Sequence, residues 1–270
     1  MKKQLLIFSI AITSFGLLSA QDKKLAEECF KKADYKCAEE QYSKLALTEL
    51  IQKYQSDYYL YLGISQRRLG KTSLAFKSLE SAFKSNPKSI AVYENLASLH
   101  QQKGSKEKAL DYANRGIKLE PENAELYLIR SKIHSGMGKI DLAMNDLKQI
   151  LTFEPDHILA RTGLANLKKN NGDLDGALKD YNQLLTEKPE SLLYNGRADV
   201  YLKLKKYKEA LADINKAISI DPRFAQSYVF KSKILFDTSK DKEACSSLEK
   251  AVILGYEKVL LPELQTKCLK

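Results

Sequence analysis

Proline recurs in this 270-residue chain at Pro87, Pro121, Pro155, Pro189 and Pro222, at spacings of 34, 34, 34 and 33 residues. Alanine keeps step at Ala38, Ala75, Ala109, Ala143, Ala177, Ala210 and Ala244, and glycine at Gly70, Gly104, Gly138 and Gly172. Three residue types on one period mean that a small supersecondary unit is repeated along the chain. Each type has a task if that unit is two antiparallel helices. Proline ends the second helix, because it lacks an N–H and pushes the residue before it out of helical dihedrals. Glycine supplies a turn at positive φ, and alanine lets the two helix axes approach where they cross. The other apolar residues follow helical spacing: Tyr194, Ala198, Tyr201, Leu202 and Leu204, then Tyr207, Ala210, Leu211, Ile214, Ala217 and Ile218. Neither stripe can be buried within one hairpin, so the hairpins must stack. Only 6 prolines and 12 glycines, with no tryptophan, suit helices better than turn-rich sheets.

The segment from Tyr194 to Pro222 reads YNGRADVYLKLKKYKEALADINKAISIDP. It resembles the tetratricopeptide repeat proteins, and the resemblance covers nearly all of the chain after the first twenty residues. It implies an all-α fold, a right-handed superhelical solenoid of about seven hairpins at 22–55, 56–89, 90–123, 124–157, 158–190, 191–224 and 225–258, closed by a capping helix over 259–270. Arg161 stands where Tyr93, Tyr127, Tyr194 and Tyr228 stand in other repeats, so the first helix at 158–190 is expected to pack less well. The turn glycine is replaced by Lys205 and Ser239 in the last two repeats.

In this family the first helices of successive repeats line the inner face, and the resemblance places a protein or peptide partner there. The inward positions it implies are Leu60, Ile64, Glu94, Ser98, Leu128, Lys132, Thr162, Asn166, Asn195, Asp199, Val229 and Lys233. An apolar start leads into a polar middle, which suits an extended peptide with an apolar anchor and several hydrogen bonds. The carboxylate clamp of chaperone-binding members is not implied: it needs Lys and Asn where Leu60 and Ile64 stand, and only Asn95 matches. An interaction scaffold in bacterial envelope assembly or secretion is the first reading. A peptidoglycan or carbohydrate binder is the alternative, but it calls for aromatic platforms inside the groove, and the tyrosines fall mostly at packing positions.

Lys2 and Lys3 precede a nearly uncharged run from Leu5 to Leu18, followed by Ser19, Ala20 and Gln21. This is the pattern of a signal peptide cleaved after Ala20, since a run of 14 residues falls short of the roughly 20 that a spanning helix needs. Cleavage would lower the formal net charge from +10 to +8 by removing the two lysines. Export to the periplasm, or to the envelope or exterior, then argues against nucleic acid as the partner of this basic chain. No transmembrane span is expected in the mature chain.

Histidine is sparse. His100 and His134, 34 residues apart, share the position of Tyr201 and read as packing residues, while His157 follows Pro155 in an inter-repeat turn with no evident partner. HExxH, CxxC, GxSxG and GxxxxGK[ST] do not occur. Neither an enzyme, a metal nor a cofactor is called for. Four cysteines allow three pairings, and an exported chain reaches compartments where disulfides persist. Cys29, late in the first helix, and Cys37, early in the second, lie alongside each other in an antiparallel hairpin. Cys245 and Cys268 match because about ten residues up one helix and ten back down the next return to one level at about 1.5 Å per residue. Bonds Cys29–Cys37 and Cys245–Cys268 are expected. Arg130 with Asp146, and Arg197 with Asp213, take equivalent positions and read as ion pairs across the hairpin.

Overall fold

The computed structural model describes residues 21–257 and 266–268. The apolar run Leu5–Leu18 and most of the expected closing helix lie outside these residues; helical residues 266–268 are within them. The described regular structure is helical throughout. It runs α1 (21–31), α2 (Tyr35–Thr48), α3 (Gln52–Arg68), α4 (Thr72–Ser85), α5 (Ile90–Gln102), α6 (Lys106–Leu119), α7 (Ala124–Gly136), α8 (Ile140–Phe153), α9 (Ile158–Asn170), α10 (Leu174–Glu187), α11 (Ser191–Lys203), α12 (Tyr207–Ile220), α13 (Ala225–Asp237) and α14 (Asp241–Ile253). Two compact units meet in sequence at Met137 and Gly138. The first unit contains α1–α7. Its helices pack on their neighbours in sequence, and α3 and α5 also touch, as do α5 and α7. The second contains α8–α14, where consecutive helices pack likewise and α11 bridges α9 and α13.

The periodic residues explain the hairpins. All seven periodic alanines, from Ala38 to Ala244, are fully buried, as expected where a Cβ larger than a methyl would separate two axes. The second helices end at Ser85, Leu119, Phe153, Glu187 and Ile220, each two residues before a proline. The intervening Asn86, Glu120, Glu154, Lys188 and Asp221 have φ between −145° and −128° and ψ between 78° and 93°, as the ring of the following proline requires. Gly70, Gly104, Gly138 and Gly172 turn the chain at φ from 73° to 89°. Lys205 and Ser239 hold the same left-handed conformation at φ 57° without being glycine, and so does Ala33. The turn geometry therefore belongs to the hairpin, and side chains there are forced to accept it.

Local bonds then fix each junction. Tyr93 and Tyr228 donate from their hydroxyls to the carbonyls of Pro87 and Pro222, both at 3.1 Å. Arg161, at the same repeat position, instead forms a two-pronged ion pair with Glu187, one N–O distance being 2.7 Å; α9 thus exchanges an aromatic contact for a charged one. His157, expected to lack a partner, caps α9: its Nδ1 accepts from the Ala160 N–H at 3.1 Å. His100 is buried between Phe76 and Tyr112, with ring centroids 4.7 and 5.4 Å away. Arg197 Nε and Nη2 reach Asp213 at 2.8 and 2.7 Å, joining α11 to α12. Disulfides join Cys29 to Cys37 and Cys245 to Cys268, with Cα atoms 5.7 and 5.6 Å apart. Among the described residues no helix is long and apolar enough to cross a membrane.

Candidate functional site

In the second unit, α9, α11 and α13 lie side by side, and helical periodicity brings selected residues of each onto one stripe. Thr162, Asn166 and Lys169 follow at four and then three residues along α9, and Leu192, Gly196 and Asp199 do the same along α11, with Asn195 adjoining Gly196. With Tyr181 from α10 and Phe224, Gln226 and Phe230 at and within the start of α13, they line a half-open pocket of about 130 Å³.

A buried charge lies among its lining residues. Lys169 has only 10% of its side chain exposed, and its Nζ donates to Asp199 Oδ2 at 2.6 Å and to Asn166 Oδ1 at 3.2 Å. An ammonium removed from water needs such a carboxylate, because the desolvation penalty for an unpaired ion is several kcal/mol. Asn166 Oδ1 also accepts from the Tyr181 hydroxyl at 2.9 Å. Burial, and then the charges of Asp199 and Asp180, hold that phenol far above its ordinary pKa, so it remains a neutral donor. Tyr181 is wholly buried, and its ring lies where a Cβ on residue 196 would stand. Gly196 is the residue that leaves room for it.

Two atoms in the pocket wall stand apart from this network. Thr162 is 6% exposed and Asn195 2%, and although both line the pocket, Thr162 Oγ1 and Asn195 Oδ1 make no hydrogen bond within the described protein. The other end of the Asn195 amide donates to Ser227 Oγ at 2.8 Å, which fixes its orientation. Buried polar atoms without partners are uncommon in folded proteins, since each costs about 1–3 kcal/mol. Here both atoms are also shut off from solvent.

Of the twelve inward positions implied by the sequence, the structure thus brings four together: Thr162, Asn166, Asn195 and Asp199. Leu60, Leu128 and Val229, at the same repeat position as Thr162 and Asn195, are only 6%, 7% and 1% exposed. Leu60 packs in one core cluster with Ala75 and Leu79, and Val229 in another with Leu248 and Ala251. At this position Leu60 and Val229 pack into the cores of their own hairpins. Glu94 accepts from Asn123 Nδ2 at 3.0 Å, and Asn123 Oδ1 in turn accepts from the Leu126 N–H at the start of α7; burial raises the Glu94 pKa. Ser98 accepts from Arg67 at 3.1 Å, Ile64 is partly buried against the core, and Lys132 and Lys233 are exposed. Lys169 and Leu192 were absent from the expected set, although the spacing that selected Asn166 and Asn195 reaches them within one more turn. Tyr181 lies on a second helix and carried no signal. No group of three His, Cys, Asp or Glu that could hold a metal occurs among the described residues.

Comparison with known proteins agrees with this architecture. Profiles of the family described as tetratricopeptide repeat match residues 57–89, 90–123, 124–157 and 191–224. A crystal structure of a tetratricopeptide repeat protein from Parabacteroides merdae superposes with a TM-score of 0.82 at 30% identity, covering 93% of this chain and 99% of the other. The pilF protein of Pseudomonas aeruginosa is similar in fold, with a TM-score of 0.60 at 16% identity over 80% of this chain and 99% of that one. Among curated proteins, a homologue of SGT1 from Oryza sativa is 39% identical over 64 residues. That match spans 24% of this chain and only 16% of the rice protein's length.

Proposed function

Because this chain belongs to the tetratricopeptide repeat proteins, we propose that it is an exported, non-catalytic scaffold of the bacterial envelope that holds a protein partner on the first helices of its hairpins. The observation that carries the reading is the pocket between α9, α11 and α13. It combines a neutralised ion pair, Lys169 with Asp199, and an apolar residue, Leu192, at 49% exposure among its lining residues. Such a site supplies an apolar contact and a few fixed hydrogen bonds, the means by which one segment of a partner is recognised. The titratable groups within it are already committed to each other: Lys169 to Asp199, Tyr181 to Asn166. None is left poised as a base or nucleophile.

Export rests on the Lys2–Gln21 pattern and is supported by two disulfides, which persist in oxidising compartments. A photo-reactive amino acid placed at position 192 in living cells tests the partner reading, with position 179 on the exposed side of α10 as control. Protein adducts from 192 that are missing from 179 are expected. Adducts with glycan alone would favour peptidoglycan or carbohydrate binding, and equal yields from both positions would refute a site on this face.

A further inference from the structure

We propose that Arg67 on α3, together with Ser98 on α5, binds a carboxylate side chain, aspartate or glutamate, of the partner. The proposal rests on the partner-binding reading above and gives the chemistry of one contact in the first unit.

The second unit holds the same arrangement with one substitution. Leu60, Ile64 and Arg67 take the places along α3 that Thr162, Asn166 and Lys169 take along α9, and the two cations each stand three residues before a turn glycine, Gly70 and Gly172. On the next first helix Ser98 follows Ala97 as Asp199 follows Ala198. Both cations reach across to that helix. Lys169 meets the Asp199 carboxylate at 2.6 Å, whereas Arg67 Nη1 donates to the neutral Ser98 hydroxyl at 3.1 Å. One geometry is thus closed by a counter-ion in the second unit and left without one in the first.

Arg67 is half-buried and forms no ion pair among the described residues; its one side-chain hydrogen bond there is to Ser98. Burial, and then the charge of Arg68, push its pKa below the ordinary value, with Glu125 acting in the opposite sense. By contrast, hydrogen bonds to Glu187 and Asp213 raise the pKa values of Arg161 and Arg197. Arg68 itself is exposed, with its Cζ 6.0 Å from the ring centroid of Tyr35 on α2. A cation drawn partly out of water is stabilised by an anion, and because neither Arg67 nor Ser98 is closed off from solvent, that anion can come from a partner.

The donors select its class. A guanidinium carries five N–H groups, of which Ser98 takes one, and the Ser98 hydroxyl accepts from Arg67 while its own proton makes no hydrogen bond among the described residues. A carboxylate accepts from both at once, and its charge matches that of the single cation. An ammonium would be repelled, and a side-chain amide would leave the charge unanswered. Phosphate brings nearly two negative charges to one positive one. Glu94, about one turn before Ser98 on α5, is engaged by Asn123; it confines an acidic ligand to the end of α5 where Arg67 reaches it.

Isotope-labelled full chain is titrated with the α-amide of N-acetyl-glutamic acid, with the matching glutamine diamide and with inorganic phosphate, and resonances are followed by NMR. The glutamate probe is expected to shift the Arg67 Nε–H and the Ser98 amide with a Kd at least about fivefold below that of the glutamine probe. Arg67→Gln should remove this preference. Ser98→Asp supplies the carboxylate that Asp199 gives Lys169, and should remove the preference while the urea midpoint of the chain holds or rises. Lys132→Gln deletes an exposed cation of α7 at the repeat position of Ser98, and should leave the preference in place. Equal binding of the glutamine probe, tighter binding of phosphate, no shift at Arg67 and Ser98, or a loss in Lys132→Gln as large as that in Arg67→Gln would overturn the proposal. If position 192 captures a protein while the probes show no glutamate preference, the Arg67 assignment fails alone. If neither result is obtained, the partner reading fails with it.

Discussion

Replacing Lys205 by glycine should stabilise the α11–α12 hairpin, against the general rule that glycine weakens ordered structure. Lys205 holds φ 57° at a position where four other hairpins place glycine. An L side chain in the left-handed region costs about 1–2 kcal/mol, because its Cβ crowds the following carbonyl. Glycine removes that strain but loses about 0.5–1 kcal/mol more chain entropy on folding. The difference predicts a gain of about 0.5–1 kcal/mol for Lys205→Gly. Lys205→Ala should stay within about 0.5 kcal/mol of the parent, because the strain persists and the lost side chain is exposed. Stacked hairpins open locally, so amide hydrogen exchange is the suitable assay. The reporters are the Leu204, Lys205 and Lys206 N–H groups, which bond the carbonyls of Val200, Leu202 and Tyr201 at 3.0, 3.0 and 2.9 Å. Their protection should rise about two- to fivefold in the glycine variant. Protection equal to or below that of the alanine variant would refute the argument, since it would mean that the φ of this turn carries no strain.

Three further outcomes follow from the same structure. Removing Cys245–Cys268, which closes a separation of 23 residues, by paired serine substitutions should lower stability by about 3.4 kcal/mol, and removing Cys29–Cys37, at a separation of 8, by about 2.5 kcal/mol on the chain-entropy relation; urea unfolding of both double variants checks the order. Burial, and then Lys108 and Lys103, depress the His100 pKa below the ordinary 6.5, so the unfolded chain binds this proton more readily. The stability His100 contributes should be complete above pH 6.5 and decline as pH falls through its folded value, and the dependence should flatten in His100→Tyr when urea midpoints are compared. Gly196→Ala should lower stability by about 1–3 kcal/mol, because the added methyl meets the ring of Tyr181, which is wholly buried and hydrogen-bonded to Asn166; an unchanged denaturation midpoint would show that the ring can move aside.

Much of the fold was legible because each periodic residue acts within its own hairpin. Ala177 and Ala210 govern one crossing each, Pro189 and Pro222 stop one helix each, and none needs knowledge of a distant residue. Arg197 with Asp213 could be read for the same reason, as both belong to one hairpin. His157 escaped because capping depends on the rotamer of a turn residue, which spacing does not reveal. The burial of Leu60, Leu128 and Val229 was not legible because a shared repeat position fixes direction alone; how deep a side chain there sits depends on its shape and on what packs beside it.

The sequence by itself determined the helices, their turns and the column of first-helix positions, since all three follow from short-range sterics repeated every 33 or 34 residues. Only the tertiary structure decided that Thr162, Lys169, Tyr181, Asn195 and Phe230 line one small pocket and that Thr162 Oγ1 and Asn195 Oδ1 are buried with no hydrogen-bond partner among the described residues. Those residues come from four helices, and a gap between them exists only once the axes, the missing Cβ of Gly196 and the ring it admits have all been placed together.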